Sequence, residues 1–484
     1  MKRISDLQPG IVWKYFHEVT NVPRPSKKEE KIILYLEQFA SEHGLFIKKD
    51  AVNNVLISKS ATPGFEYLPT VILQSHLDMV CEKNSDVVFD FENDPIETIV
   101  EGDWLRANGT TLGADNGIGI AAQLAILASD DIEHGPIECL FTIDEETGLT
   151  GAMALQEGFM TGKILLNLDS EDEGEIFIGC AGGKGTVATF TYEPVPAPTL
   201  RYVRIAVSGL RGGHSGCDIH AGLGNANKIL ARFLYLVKKD YRFTLVSIGG
   251  GNLHNAIARE AYAVIGMEDE ANENIRILLN RFTANIENEL KHADPNVRIT
   301  MEMVDAPETC FCEKFADRLV NALLACPHGV KAMSRDIEGL VETSTNLASV
   351  KMMDNHTVVV GTSQRSSIES AKHAIADQVA AVFLLAGAEV KHGEGYPGWA
   401  PNPNSNVLKA AQETYRKLFH KESKVKAIHA GLECGLFLEK YPYLDMISFG
   451  PTMCDVHSPN ERLKIDTVGL WWDHLLELLK NLPV

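Results

Sequence analysis

The chain has no apolar run long enough to cross a bilayer. Its longest, Ile118 to Ala128, is broken by Gly119 and Gln123, and Val379 to Ala388 is shorter still, against the roughly 20 residues a spanning helix requires. A membrane protein of the helical kind is not expected. Basic charge is also scarce, with 45 Lys and Arg facing 65 Asp and Glu for a formal charge of -20. Such a surface repels phosphate backbones, which argues against nucleic acid as a partner. The amino-terminal end carries Lys2 and Arg3 but no apolar stretch behind them, so no signal peptide is expected. Nine cysteines, an odd number with only Cys310 and Cys312 close together, point to free thiols in a reducing compartment, the cytoplasm by default.

What is present is an ordinary globular composition, 45% hydrophobic and 23% charged over 484 residues. That length predicts two or three domains, at roughly 150 residues each. Ser26 followed by Glu29 reads as a capping box ahead of an apolar-periodic helix (Ile32, Ile33, Leu36, Phe39, Ala40) closed by Gly44. Strands are expected near 45–49 and 55–58. Apolar blocks at 70–73, 137–143 and 164–168 then alternate with helical stretches such as 118–128, the signature of an α/β sheet, largely parallel and covered on both faces. After Gly183 the texture changes to β-rich segments mixed with three long helical patterns, at 225–239, 272–291 and 368–386. We read 183–397 as an inserted α+β domain and 1–182 with 398–484 as the α/β domain. Residues 255–267 and 346–363 look faintly alike, a weak sign of internal duplication.

The informative polar residues fall where strands end. His76 and Asp78 follow the strand at 71–75, Glu145 and Glu146 follow 138–143, Asp169 follows 164–168, and His457 follows 446–449 by a short loop. In an open α/β sheet the carboxyl edge is where ligands bind. Asp115, in the loop before a helix, supplies a further oxygen. Two histidines and three carboxylates suit zinc or a similar divalent ion, and one bridging Asp lets them hold two ions roughly 3.5 to 4 Å apart. His76 and Asp78 face the same way, so Asp78 can hold the second ring nitrogen of His76. Adjacent Glu145 and Glu146 point differently, leaving one to bind metal and the other free as a general base. The run Glu171, Asp172 and Glu173 reads as solvated loop charge.

Residues 75–80, 109–117, 144–148 and 167–170 together with His457 resemble the co-catalytic zinc peptidase family of aminoacylases, carboxypeptidases and dipeptidases. Further matches at 180–183, 212–216, 222–228, 396–399 and 429–437 extend the resemblance to the dipeptidases of that family over the whole chain. It implies a zinc-peptidase catalytic domain with an inserted lid that could also dimerise. It further implies Asp115 as bridging ligand, His76 and Asp169 on one ion, Glu146 and His457 on the other, Glu145 as general base and Asp78 as orienting acid. A cis Asp115–Asn116 bond is implied too. In the lid, His214, Asn255 and Arg365 match substrate contacts. Glu433, at the entry of a short helix, is expected to meet a free α-amino group, although a helix N-terminus favours an acid anyway. His429 is at most a pocket residue. The implied activity is hydrolysis of unblocked dipeptides, Xaa-His such as β-Ala-His among them, with two divalent ions: zinc, or alternatively cobalt or manganese. The rival readings are an N-acyl-amino-acid deacylase with the same metals and a metal-binding protein without catalysis.

Overall fold

Strands Val71–His76, Ile137–Thr142 and Ile164–Asn167 are buried along their whole length. Strands without polar alternation need cover on both faces, so they belong at the centre of a sheet. In the computed structural model, which describes residues 3–483, they do sit there. Lys2, whose charge entered the reading of the amino-terminal end, lies outside the described residues. The sheet has eight strands, in the order Phe46–Lys49, Val55–Lys59, Ile137–Thr142, Val71–His76, Ile164–Asn167, Asp445–Ser448, Glu175–Cys180 and Lys424–Ile428. Its four central members are mutually parallel. The first two strands and Glu175–Cys180 pair antiparallel to their neighbours. Parallel character is therefore confined to the centre, because a short connection such as that between Lys49 and Val55 can only make an antiparallel pair.

The chain divides into two compact units, one of Met1–Cys180, Trp399–Ala427 and Leu432–Val484, the other of Ala181–Gly398 with Ile428–Gly431. In the first unit, helix Ala114–Ala128 packs on Val71–His76 and on helix Gly10–Thr20, while Asn406–Phe419 packs on Asp445–Ser448 and on Ile465–Lys480. A second, small antiparallel sheet (Met453–Cys454, Arg462–Lys464, Trp104–Ala107, Thr98–Glu101) matters for the site. It fastens the loop 455–461 to the segment leading into 108–115, two stretches almost 350 residues apart in the chain.

The capping box at Ser26 does not form. The helix begins at Glu30, the Ser26 hydroxyl donates to Asp78 Oδ2 at 2.7 Å, and Glu29 Oε1 accepts the backbone N–H groups of Lys27 and Asp144 at 2.9 and 3.0 Å. Tertiary partners have taken both side chains from the local motif.

The second unit carries one antiparallel sheet whose order is a palindrome of two βαββαβ sets. One set is Arg201–Ser208, Ala226–Asp240, Thr244–Gly250, Ala261–Met267, Asp269–Leu290 and Arg298–Met303. The other is Gly182–Thr191, Glu313–Ala325, Val341–Met353, Thr357–Ser366, Glu369–Leu385 and Glu389–His392, with Gly329–Met333 added on Val341–Met353. Each set orders its strands fourth, first, third, second, and the two second strands meet antiparallel at Gly250 and Val350. The similar stretches 255–267 and 346–363 do not correspond in this scheme. The former leads into a third strand, whereas the latter starts inside a second strand. Helix Glu313–Ala325 adds to the three expected; it starts at Cys312 with no side-chain cap, which removes the usual polar start signal. Phe233, Phe282, Phe315, Leu319, Val379 and Phe383 from the four helices share one core with the strands.

Candidate metal centre

Parallel register brings residues expected as ligands to one edge: His76 pairs with Thr142, and Gln74 with Asn167, so the next residues of three strands emerge together. Asp115 stands between the two histidines. Its Oδ1 lies 3.0 Å from His76 Nε2 and its Oδ2 3.1 Å from His457 Nε2. His76 Nε2 is also 3.3 Å from Asp169 Oδ1, and His457 Nε2 is 3.0 Å from Glu146 Oε2. The five expected ligands thus form two triads that share Asp115, one oxygen to each. The Asp115–Asn116 peptide is cis.

These spacings suit a metal. Donors held at about 2.0 to 2.1 Å around a tetrahedral ion sit roughly 3.3 Å from one another. His76, Asp115 and Glu146 each offer a ligand atom within 4.8 Å of the others. Glu146 Oε1 is buried without a hydrogen-bond partner, a group that a cation would satisfy.

Electrostatics point the same way. Burial alone would lower the pKa of His76, but Asp169, Asp115 and Asp78 outweigh it and hold it well above its ordinary value. Hydrogen bonds to Asp115 and Glu146 raise His457 to about 11. Burial opposes ionisation of Asp115, yet the two histidines hold it well below the carboxylate range. Asp169 is pushed up to about 6 by burial together with Asp115 and Glu146, against the pull of His76. Glu145 is raised well above its ordinary value, first by burial and then by Asp169, Glu433 and Glu146. So many carboxylates in a dry volume cannot all ionise unless cations join them.

Asp78 is fully buried. Its Oδ1 is 3.4 Å from His76 Nδ1, and that ring nitrogen is 3.1 Å from the backbone oxygen of Asp78 itself. Burial would raise Asp78, but His76, Ser26 and the Glu145 N–H bring it down to about 2. Glu433 opens helix Glu433–Lys440 and is 0% exposed. Its Oε2 accepts from Gln74 Nε2 at 2.6 Å and Thr142 Oγ1 at 2.8 Å, its Oε1 has no partner among the described residues, and burial pushes it up to about 8.

Glu171 departs from expectation. Only Asp172 of its run is exposed, and Glu171 is pushed up to about 8 by burial and by Asp115 and Asp169. Arg24 and Glu461 escaped sequence reasoning because each acts on backbone groups, which no side-chain spacing reveals.

In the second unit Arg365 Nη1 donates to Tyr396 Oη at 2.9 Å, and its Nη2 is 3.3 Å from His214 Nε2. Burial and then Arg365 lower His214 to about 4. Asn255 is exposed, and its backbone oxygen accepts the Ser215 N–H at 2.8 Å. His429 is buried and shares a 2.7 Å hydrogen bond with the Ser344 hydroxyl.

An α/β sheet that gathers two carboxylate-bridged histidine triads, with a buried glutamate beside them, is the arrangement of a metal-dependent hydrolase. The model of peptidase family M20/M25/M40 matches residues 72–481, and the chain belongs to that family. It is 42% identical over 485 residues to the cytosol non-specific dipeptidase of Escherichia coli, covering 100% of both chains. The crystal structure of aminoacylhistidine dipeptidase from Vibrio alginolyticus is similar at 43% identity and TM-score 0.92, covering 100% of this chain and 98% of that one. A tripeptidase from Staphylococcus aureus shares the fold at 17% identity and TM-score 0.56, with 98% of each chain covered. No helix among the described residues is long and apolar enough to cross a membrane.

Proposed function

We propose that this chain is a cytoplasmic dinuclear zinc dipeptidase that hydrolyses unblocked dipeptides, Xaa-His among them. The observation that carries the reading is Asp115, with one oxygen on each histidine triad. The dipeptidase names of the two full-length relatives support the substrate class. His76, Asp115 and Asp169 would hold one ion and Asp115, Glu146 and His457 the other. Bound there, the ions would polarise the scissile carbonyl and acidify water. Glu145, whose backbone N–H is fixed on Asp78, takes the proton from the attacking water and returns it to the leaving nitrogen. Glu433 Oε1 receives the substrate ammonium, which shifts that buried carboxyl to its charged form. In the second unit, Arg365 pairs with the substrate carboxylate, and His214 and Asn255 supply hydrogen bonds.

The test is side-by-side hydrolysis of β-Ala-His, Gly-Gly, Leu-Gly, a tripeptide and an N-acetyl amino acid, with metal content measured on the same preparation. Dipeptides should lead, and metal should approach two ions per chain. Preference for the N-acetyl amino acid would replace this reading with the deacylase.

A further inference from the structure

Glu461 shares a loop with His457, between strands Met453–Cys454 and Arg462–Lys464, and is 2% exposed. One of its oxygens accepts the backbone N–H groups of Leu112 and Gly113 at 2.7 and 3.0 Å, and the other those of Ala114 and Asp115 at 2.8 and 3.4 Å. Four consecutive N–H groups thereby converge on one carboxylate, a backbone nest. Arg24 grips the same turn by its carbonyl side. Its Nη1 donates to the backbone oxygens of Leu77 and Asp78 at 2.9 and 2.7 Å, and its Nη2 donates to that of Gly113. A Cβ on Gly113 would lie 2.7 Å from Arg24 Nη2, and one on Gly117 2.8 Å from it. Those two positions must therefore be glycine for the guanidinium to enter, which gives the Gly113 to Gly117 motif a physical cause.

The direction of the Asp115 carboxylate depends on the peptide that carries it, and that peptide is held from two sides. Glu461 ties it to the loop that delivers His457, and Arg24 ties it to the strand end that delivers His76. We propose that Glu461 is a positioning residue for the bridging carboxylate, one that controls binding at the metal position built from Asp115, Glu146 and His457. This rests on the dinuclear reading above.

The experiment titrates chelator-stripped protein with Co(II), following visible absorption and equilibrium dialysis. Wild type should take two Co(II) per chain. Glu461→Gln presents an amide N–H to the nest, so one Co(II) should bind about 10–100-fold more weakly, as losses of groups that orient metal ligands do. The spectrum of the ion that remains should match that of His457→Ala and not that of His76→Ala. Glu461→Asp, which keeps the charge, should restore part of the lost affinity. Lys228→Met serves as a control for general destabilisation: Lys228 Nζ donates to the backbone oxygens of Leu323, Leu324 and Cys326 in the second unit, and this variant should keep both ions. Two ions bound by Glu461→Gln at wild-type affinity would overturn the proposal, as would equal loss of both ions in Glu461→Gln and Lys228→Met at matched thermal stability. Failure of wild type to bind two Co(II) would instead overturn the dinuclear reading and this inference with it.

Discussion

Asp78 Oδ1 accepts the backbone N–H of Glu145 at 3.0 Å. The other oxygen of the same carboxylate accepts the N–H of Glu146 at 3.2 Å and the Ser26 hydroxyl at 2.7 Å. The side chain expected to steady a histidine ring therefore also carries the peptides of Glu145 and Glu146, the proposed general base and a proposed metal ligand. Orientation of His76 and placement of Glu145 are set by one group.

Asp78→Asn should consequently do more than loosen a ring. An amide can accept at one end only, so at least one of the two N–H groups loses its partner in a buried place. We expect kcat to fall by about 10–100-fold with little change in KM. Ser26→Ala, which removes a single contact, should cost less than about tenfold. Steady-state kinetics with metal content measured in parallel will decide, and a large KM effect at unchanged kcat would contradict the assignment.

Glu145 and Glu146 should separate cleanly. Glu146 Oε2 sits 3.0 Å from His457 Nε2, whereas the role proposed for Glu145 is proton transfer. Glu145→Gln is expected to keep near-stoichiometric metal and lose most of its turnover, and Glu146→Gln to lose metal as well. Equal metal loss in both would refute the division.

The proposed ligand set could be read in the sequence because His76, Glu146 and Asp169 stand at or just beyond the ends of apolar strands, and a central parallel sheet delivers strand ends to one edge. Asp115, ahead of a helix, and His457, a loop beyond its strand, rested more on the family resemblance. The same logic could not see Glu461 or Arg24. Their partners are the backbone of Leu112 to Asp115 and of Leu77 and Asp78, and backbone groups leave no residue-type signature. Ser26 and Glu29 misled for the opposite reason: their spacing fits a local cap, but Asp78 and Asp144, more than 50 and 110 residues away, claim them. The second unit's symmetry was hidden because its Gly182–Thr191 strand precedes the set that separates it from its own helix.

Metal removal should weaken the first unit. Asp115, Glu145, Glu146 and Asp169 repel one another once the cations are gone, and each site held at a hundredfold excess of free metal over its Kd contributes about 2.7 kcal/mol. Calorimetry with and without chelator should show a lowered Tm for that unit, together with a rise in amide exchange in Val71–His76 but not in Thr357–Ser366. An unchanged Tm in demonstrably metal-free protein would count against preformed sites.

The histidines of the second unit predict its response to acid. Burial, the largest cause, with Arg365 next, lowers His429 to about 3, and the same two causes lower His214 to about 4; burial and then Lys228 take His328 to about 4. Unfolded histidine titrates near 6.5, so between these values the unfolded chain binds more protons than the folded one, and stability must fall as pH falls. The contribution is fully present above about pH 6.5 and is lost as pH drops through about 4 to 3. Arg365→Met removes a cation beside two of these rings while leaving them buried. The pKa values of His214 and His429 should then rise yet stay below 6.5, and that of His328, whose cation is Lys228, should not move. Ring ¹H–¹⁵N spectra recorded across this pH range resolve the three histidines. If His214 and His429 titrated in Arg365→Met as they do in wild type, the guanidinium would not be acting on them, and the cluster proposed to receive a substrate carboxylate would lose its electrostatic basis.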